Sequence, residues 1–231
     1  MTRVRSERGE STATGRGTLS RCWHAALAVV VAASLVTQIV LLARTGADVN
    51  ATSGEQPVDA GTRYARLFSY FTVESNVLVL AASVGLVLDP SRSGRLWRVL
   101  RLDALLSIVI TGIVFVTLLA PIVENHGVGA WVNAGFHYVA PAAALVGWLL
   151  FGPRPRVAWS TIAWAFVWPL AWILYTFVHG AVTGWYPYPF LDVDALGYLV
   201  VVRNVAGVVV LTAVLAAAVK AVDARLPAVR R

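Results

Sequence analysis

Leu67-Phe-Ser-Tyr-Phe-Thr-Val-Glu-Ser-Asn-Val-Leu-Val-Leu-Ala-Ala-Ser-Val-Gly-Leu-Val-Leu88 decides the fold. Its length is close to the ~20 residues an α-helix needs to cross a bilayer core. Its polar residues, Thr72, Glu74, Ser75 and Asn76, are gathered near one end. The remainder is apolar enough to sit in lipid. Five further segments have the same character: Cys22–Ala43, Leu102–Ile122, Trp131–Phe151, Ala158–Val178 and Leu196–Val219. The pattern predicts an all-α, six-helix transmembrane bundle over residues 21–220, with a disordered tail at 1–20 and a short basic tail at 221–231.

The composition agrees with this reading. The chain has 231 residues, of which 58% are hydrophobic and only 13% charged, far from the balance of a soluble domain. Its net charge of +7 would suit nucleic acid if clustered on a soluble surface, but its placement follows topology. Fifteen basic residues flank the helices on one side: five before the first helix, Arg92, Arg95, Arg98 and Arg101 after the second, Arg154 and Arg156 after the fourth, and four after the sixth. The other side has Arg44, Arg63 and Arg66, with Arg203 inside the sixth helix. The positive-inside rule then places both termini in the cytoplasm of a multi-pass protein of the plasma membrane. Nucleic acid is not an expected partner.

Several local signals complete the outline. The first helix is longer than a signal-peptide core and lacks a clean cleavage site, so a retained anchor is expected. Gly152-Pro153-Arg154-Pro155 reads as a tight inner turn, and the aromatic and proline residues of Gly180–Ala195 as a stiff segment at the membrane interface. Cys22, the one cysteine, is expected to act as a small apolar filler.

With the helices alternating in direction, Thr37 and Gln38, the Thr72–Asn76 group, Asn133 and His137, Tyr175, Thr176 and His179, and Arg203 and Asn204 all fall toward the outer face. A bundle needs no such polar floor, and polar groups within a membrane usually face a cavity or each other. Thr72 and His137 lie at matching depth, about 8–9 Å below the outer helix ends. Asn76 shares a face with Thr72, and Asn133 shares one with His137, because each pair is four residues apart. A hydroxyl becomes a useful nucleophile when an imidazole takes its proton. Asn133 or Asn76 would orient the histidine or donate to an oxyanion. The plain alternative for Thr72 is a hydrogen bond back to its own helix.

Glu74 and Arg203, also at matching depth, are expected to pair, with Asp192 as the alternative partner for Arg203; such a pair would brace the site or bind a carboxylate. His137 with His179 offers a haem-ligand reading, but no second pair lies in the inner half. No cofactor and no metal cluster is expected.

Phe71-Thr72, Asn133-Ala-Gly-Phe-His137 with Pro141, Thr183-Gly184-Trp185 and Tyr188-Pro189-Phe190-Leu191 resemble the androgen-induced membrane proteins and their bacterial relatives, the Pr-six-Pr membrane proteins. The resemblance covers about residues 20–220. It implies a six-helix intramembrane hydrolase of fatty acid esters of hydroxy fatty acids, with Thr72 as nucleophile, His137 as base and a membrane lipid ester as substrate. Asn76, Asn133, Glu74, Arg203, His179 and Tyr188 would support the site or bind substrate. The chain differs from the family in Glu74-Ser75-Asn76, in the spacing of Trp185 to Tyr188 and in the offset of His179. The competing reading is a small-ligand binding protein or proton-coupled transporter that uses the same polar floor, and it would depend chiefly on Glu74, His137 and Arg203.

Overall fold

The computed structural model describes residues 2–51, 58–152 and 157–226; the side chains of residues 2–14 and 16 lie outside that description. The turn expected at Pro153–Pro155 and the last basic residues fall outside it too. Among the described residues the chain is wholly helical, with six helices long and apolar enough to span a membrane. They are α1 (Thr2–Thr45), α3 (Phe71–Leu88), α4 (Arg95–Leu119), α5 (Gly127–Phe151), α6 (Trp159–Thr183) and α7 (Tyr198–Arg225). A short helix, α2 (Ala60–Ser69), precedes α3. α1 begins at Thr2, so the backbone is helical through the segment expected to be disordered. Cys22 is exposed on that helix and fills no core position, contrary to expectation.

α4 is the central span and α7 the most peripheral. Two thirds of the apolar window of α4 is buried, against 11% of that of α7. α1 packs on α3 and α5, α3 packs on α4, and α4 meets α5, α6 and α7. Close approach is set by small residues. A Cβ on Gly112 of α4 would stand 2.9 Å from the Pro141 ring of α5, and one on Gly135 would collide with Ser34 Oγ of α1.

Four spans depart from regular geometry, and each departure shapes the site. The second apolar segment is not one helix from Leu67. It breaks at Tyr70, whose ψ of 126° is extended, and restarts at Phe71. No glycine or proline causes this break. Tyr70 is 2% exposed and is held edge-on against Trp185 and Tyr188, while the Trp172 indole donates to Ser69 O at 3.0 Å. Tertiary packing therefore outweighs the local preference for a continuous helix. In α6 the break falls at Phe166, just ahead of Pro169, which has no N–H to donate to the preceding turn. α4 and α5 each contain a π-turn, at Phe115–Leu119 and Gly135–Val139. Such turns widen a helix by one residue and often occur at functional positions.

The segment after α6 is more than an interfacial belt. Trp185, Tyr188, Leu191 and Val193 are buried and join Leu67, Tyr70, Phe115 and Trp172 in one core cluster. The loop folds down as a plug into the mouth of the bundle at the end opposite the termini. Gln38 fixes the neighbouring loop: its amide donates to Ala47 O and accepts from Val49 N. Asn204 of α7 donates to Phe190 O at 3.0 Å and ties the plug to the last helix.

Candidate active site

Thr72 is the second residue of α3, immediately after the break at Tyr70. A helix N-terminus presents unpaired N–H groups and the positive end of the macrodipole. The break therefore places a hydroxyl where developing negative charge is favoured. Thr72 and His137 are 2% and 3% exposed, and Thr72 Oγ1 lies 3.3 Å from His137 Nε2. Helices α3 and α5 meet through the π-turn that carries the histidine.

The histidine is held from three sides. Its Nδ1 lies 2.8 Å from Asn133 Oδ1 and 3.2 Å from Asn133 O. Both partners are acceptors, so Nδ1 carries the proton and Nε2 presents its lone pair to the Thr72 hydroxyl. The imidazole stacks on Phe115 with ring centroids 3.8 Å apart and planes at 15°. The two π-turns thus face each other, one supplying the base and the other the flat surface that fixes its plane. Gly135 lets α1 press against the turn from behind.

Tyr188 completes the group. Its hydroxyl accepts from the Thr72 backbone N–H at 3.1 Å and lies 3.2 Å from Thr72 Oγ1. If Thr72 donates to His137, the phenol proton points back to Thr72 Oγ1, and every member of the network is satisfied. Burial pushes the Tyr188 pKa up to about 12, so the phenol remains a donor across the physiological range.

The remaining expected residues are placed differently. Asn76 donates to Thr72 O at 2.9 Å, bracing the backbone rather than the hydroxyl, and its Oδ1 is buried without a hydrogen-bond partner. Glu74 does not pair with Arg203. The Glu74 carboxyl hydrogen-bonds Trp168, whose ring stacks on Phe71. Arg203 is exposed on α7, five residues after its first residue Tyr198, close enough to that helix end for a long side chain to reach the interface. Asp192 is not the alternative partner either: it caps the short helix at Val193–Leu196 by accepting from Ala195 N. His179 lies outside the group, edge-on to Trp185 and hydrogen-bonded near Thr183. Trp185 and Tyr70 stand between it and Tyr188. Both nitrogens of His137 are occupied, which leaves none to share an iron with His179.

Thr72 and Tyr188 open onto a cavity whose walls are almost entirely apolar, including Phe71, Leu106, Ile110, Leu170, Ile173 and Val208. Asp103, Ser107 and Thr111 of α4 also line it, four residues apart on one helical face. Their spacing is visible in the sequence, but Asp103 lies near the start of its apolar segment, at the opposite end of the bundle from Thr72 and His137.

No family model, curated protein or solved structure matches the chain.

Proposed function

We propose that this chain is a plasma-membrane hydrolase of lipid esters, with Thr72 as nucleophile and His137 as general base and then general acid. The reading keeps the resemblance to the androgen-induced and Pr-six-Pr membrane proteins as its prior. The observation that carries it is the buried Thr72–His137 contact at a helix N-terminus, opening on an apolar cavity.

The steps follow from the hydrogen bonds. His137 Nε2 takes the Thr72 proton as Oγ1 attacks the ester carbonyl carbon. The Nδ1–H stays hydrogen-bonded to Asn133, which holds the ring in place. Negative charge on the carbonyl oxygen is met by the Tyr188 hydroxyl and the N-terminal end of α3. His137 returns its proton to the departing alcohol, leaving an acyl ester on Thr72. Water then enters, gives a proton to His137 and attacks the acyl carbon; the fatty acid leaves, and Thr72 regains its hydrogen. The net reaction consumes one ester and one water and yields an acid and an alcohol.

Access suits a substrate dissolved in lipid. α6 and α7 form two walls of the cavity and scarcely touch each other, which leaves a lateral path for an acyl chain.

The test is covalent labelling of purified protein by a hydroxyl-directed hydrolase probe. Labelling that Thr72→Ala and His137→Ala each abolish supports the proposal. A well-folded wild type that never labels returns the site to ligand binding or transport.

A further inference from the structure

The cavity below Thr72 does not end in hydrocarbon. At its far end lies Asp103, 7% exposed, whose carboxyl receives only a long hydrogen bond from Ser107 Oγ at 3.5 Å. A carboxyl in a membrane helix is costly unless something meets it. Arg101, two residues away, is not that partner, because its guanidinium reaches Gly152 O, just past the end of α5, at 2.7 Å. Nor is Asp103 part of the Thr72 network. It is eight residues from Thr111, whose hydroxyl lies 3.2 Å from Ser75 Oγ on α3, and Ser75 is itself one turn below Thr72. Helical rise therefore separates Asp103 from Thr72 by roughly 16–18 Å along the bundle axis.

Between these two polar ends the lining is apolar apart from the Ser107, Thr111 and Thr212 hydroxyls. Both threonine hydroxyls donate back into their own helices, Thr111 to Ser107 O and Thr212 to Val208 O, each at 2.8 Å. The space is thus a long greasy slot with an acyl-transfer group at one end and a buried acceptor at the other.

We propose that Asp103, with Ser107, recognises a hydrogen-bond-donating group, a hydroxyl or an amine, carried near the far end of the substrate's acyl chain. The ligand class is a doubly polar amphiphile, with an ester at one end of the chain and a donor at the other. The inference deepens the hydrolase reading by naming what the site selects. It concerns binding, so it can be tested even if no ester is turned over. Asp103 is a specificity residue here and takes no part in bond cleavage.

The probes are non-hydrolysable long-chain alkyl ethers ending in hydroxyl, amine or methyl, competing with a fluorescent alkyl chain on the full-length protein in lipid nanodiscs. Wild type is expected to bind the hydroxyl or amine chain at least about tenfold more tightly than the methyl chain, the scale of one hydrogen bond to a buried acceptor. Asp103→Leu should erase that preference while still binding the methyl chain. Asp103→Asn should keep preference for the hydroxyl and lose it for the amine. Short-chain ethers with the same end groups should show no preference, because they cannot reach.

Equal affinity for all three long chains in wild type would overturn the proposal, as would a preference that survives Asp103→Leu. Turnover of a short unsubstituted ester is measured in parallel. Its absence alongside an Asp103-dependent preference would remove the hydrolase and leave this site standing. Turnover without the preference would do the reverse.

Discussion

Removing the Tyr188 hydroxyl separates a structural role from a chemical one. In Tyr188→Phe the ring keeps its contacts with Tyr70, Trp172 and Phe190, so packing should change little. Two interactions vanish: the Thr72 N–H loses its acceptor at 3.1 Å, and Thr72 Oγ1 loses its neighbour at 3.2 Å. Leaving that buried N–H unpaired costs about 1–3 kcal/mol of stability. If the phenol also donates to the oxyanion, its loss costs a further factor of about 10²–10³ in kcat. KM should move little, because the substitution leaves the Tyr188 ring in the cavity wall and removes only its hydroxyl. The assay is steady-state hydrolysis of a short chromogenic ester, with thermal unfolding of the same preparation as control. A folded Tyr188→Phe protein with wild-type kcat would refute the assignment of Tyr188 as an oxyanion donor.

Other substitutions probe the remaining contacts. Asn133→Leu removes the side-chain acceptor of His137 Nδ1 but leaves the backbone carbonyl at 3.2 Å; kcat should fall about tenfold, the worth of one such bond, and a pH–rate profile should show the altered base. Glu74→Gln and Arg203→Ala should each alter hydrolysis less than about threefold, and their stability effects should add within about 0.5 kcal/mol; a larger coupling would restore the ion pair that the structure lacks. Gly135→Val drives a side chain into Ser34 and should destabilise the bundle by about 1–3 kcal/mol, with partial recovery on adding Ser34→Gly.

The six spans were legible because lipid imposes length and apolarity on a helix, and both can be counted along a chain. Equal depth on parallel helices and i, i+4 partners made a Thr72–His137 meeting compatible with the sequence, but the adjacency of their two helices is set by packing and was not legible. What escaped was what tertiary packing decides. Tyr70 breaks its helix through aromatic contacts from a loop more than a hundred residues away, and no local signal marks that. The aromatic loop resembled an interfacial belt because Trp and Tyr favour that depth; its burial depends on the room that break creates. Glu74 and Arg203 matched in depth alone. Depth says nothing of azimuth, and α7 packs mainly on α4 and the plug. The Asp103–Ser107–Thr111 face has regular i, i+4 spacing, but two hydroxyls and one carboxyl on an apolar helix do not by themselves show that they line a cavity.

The central claim is that Thr72 carries the acyl group. The most direct measurement is peptide mapping by mass spectrometry after incubation with a slowly turned-over lipid ester and a rapid acid quench. The account predicts an added acyl mass on the peptide containing Thr72, absent in Thr72→Ala and not formed in His137→Ala. An acyl group found on another residue, or hydrolysis undiminished in Thr72→Ala, would contradict it.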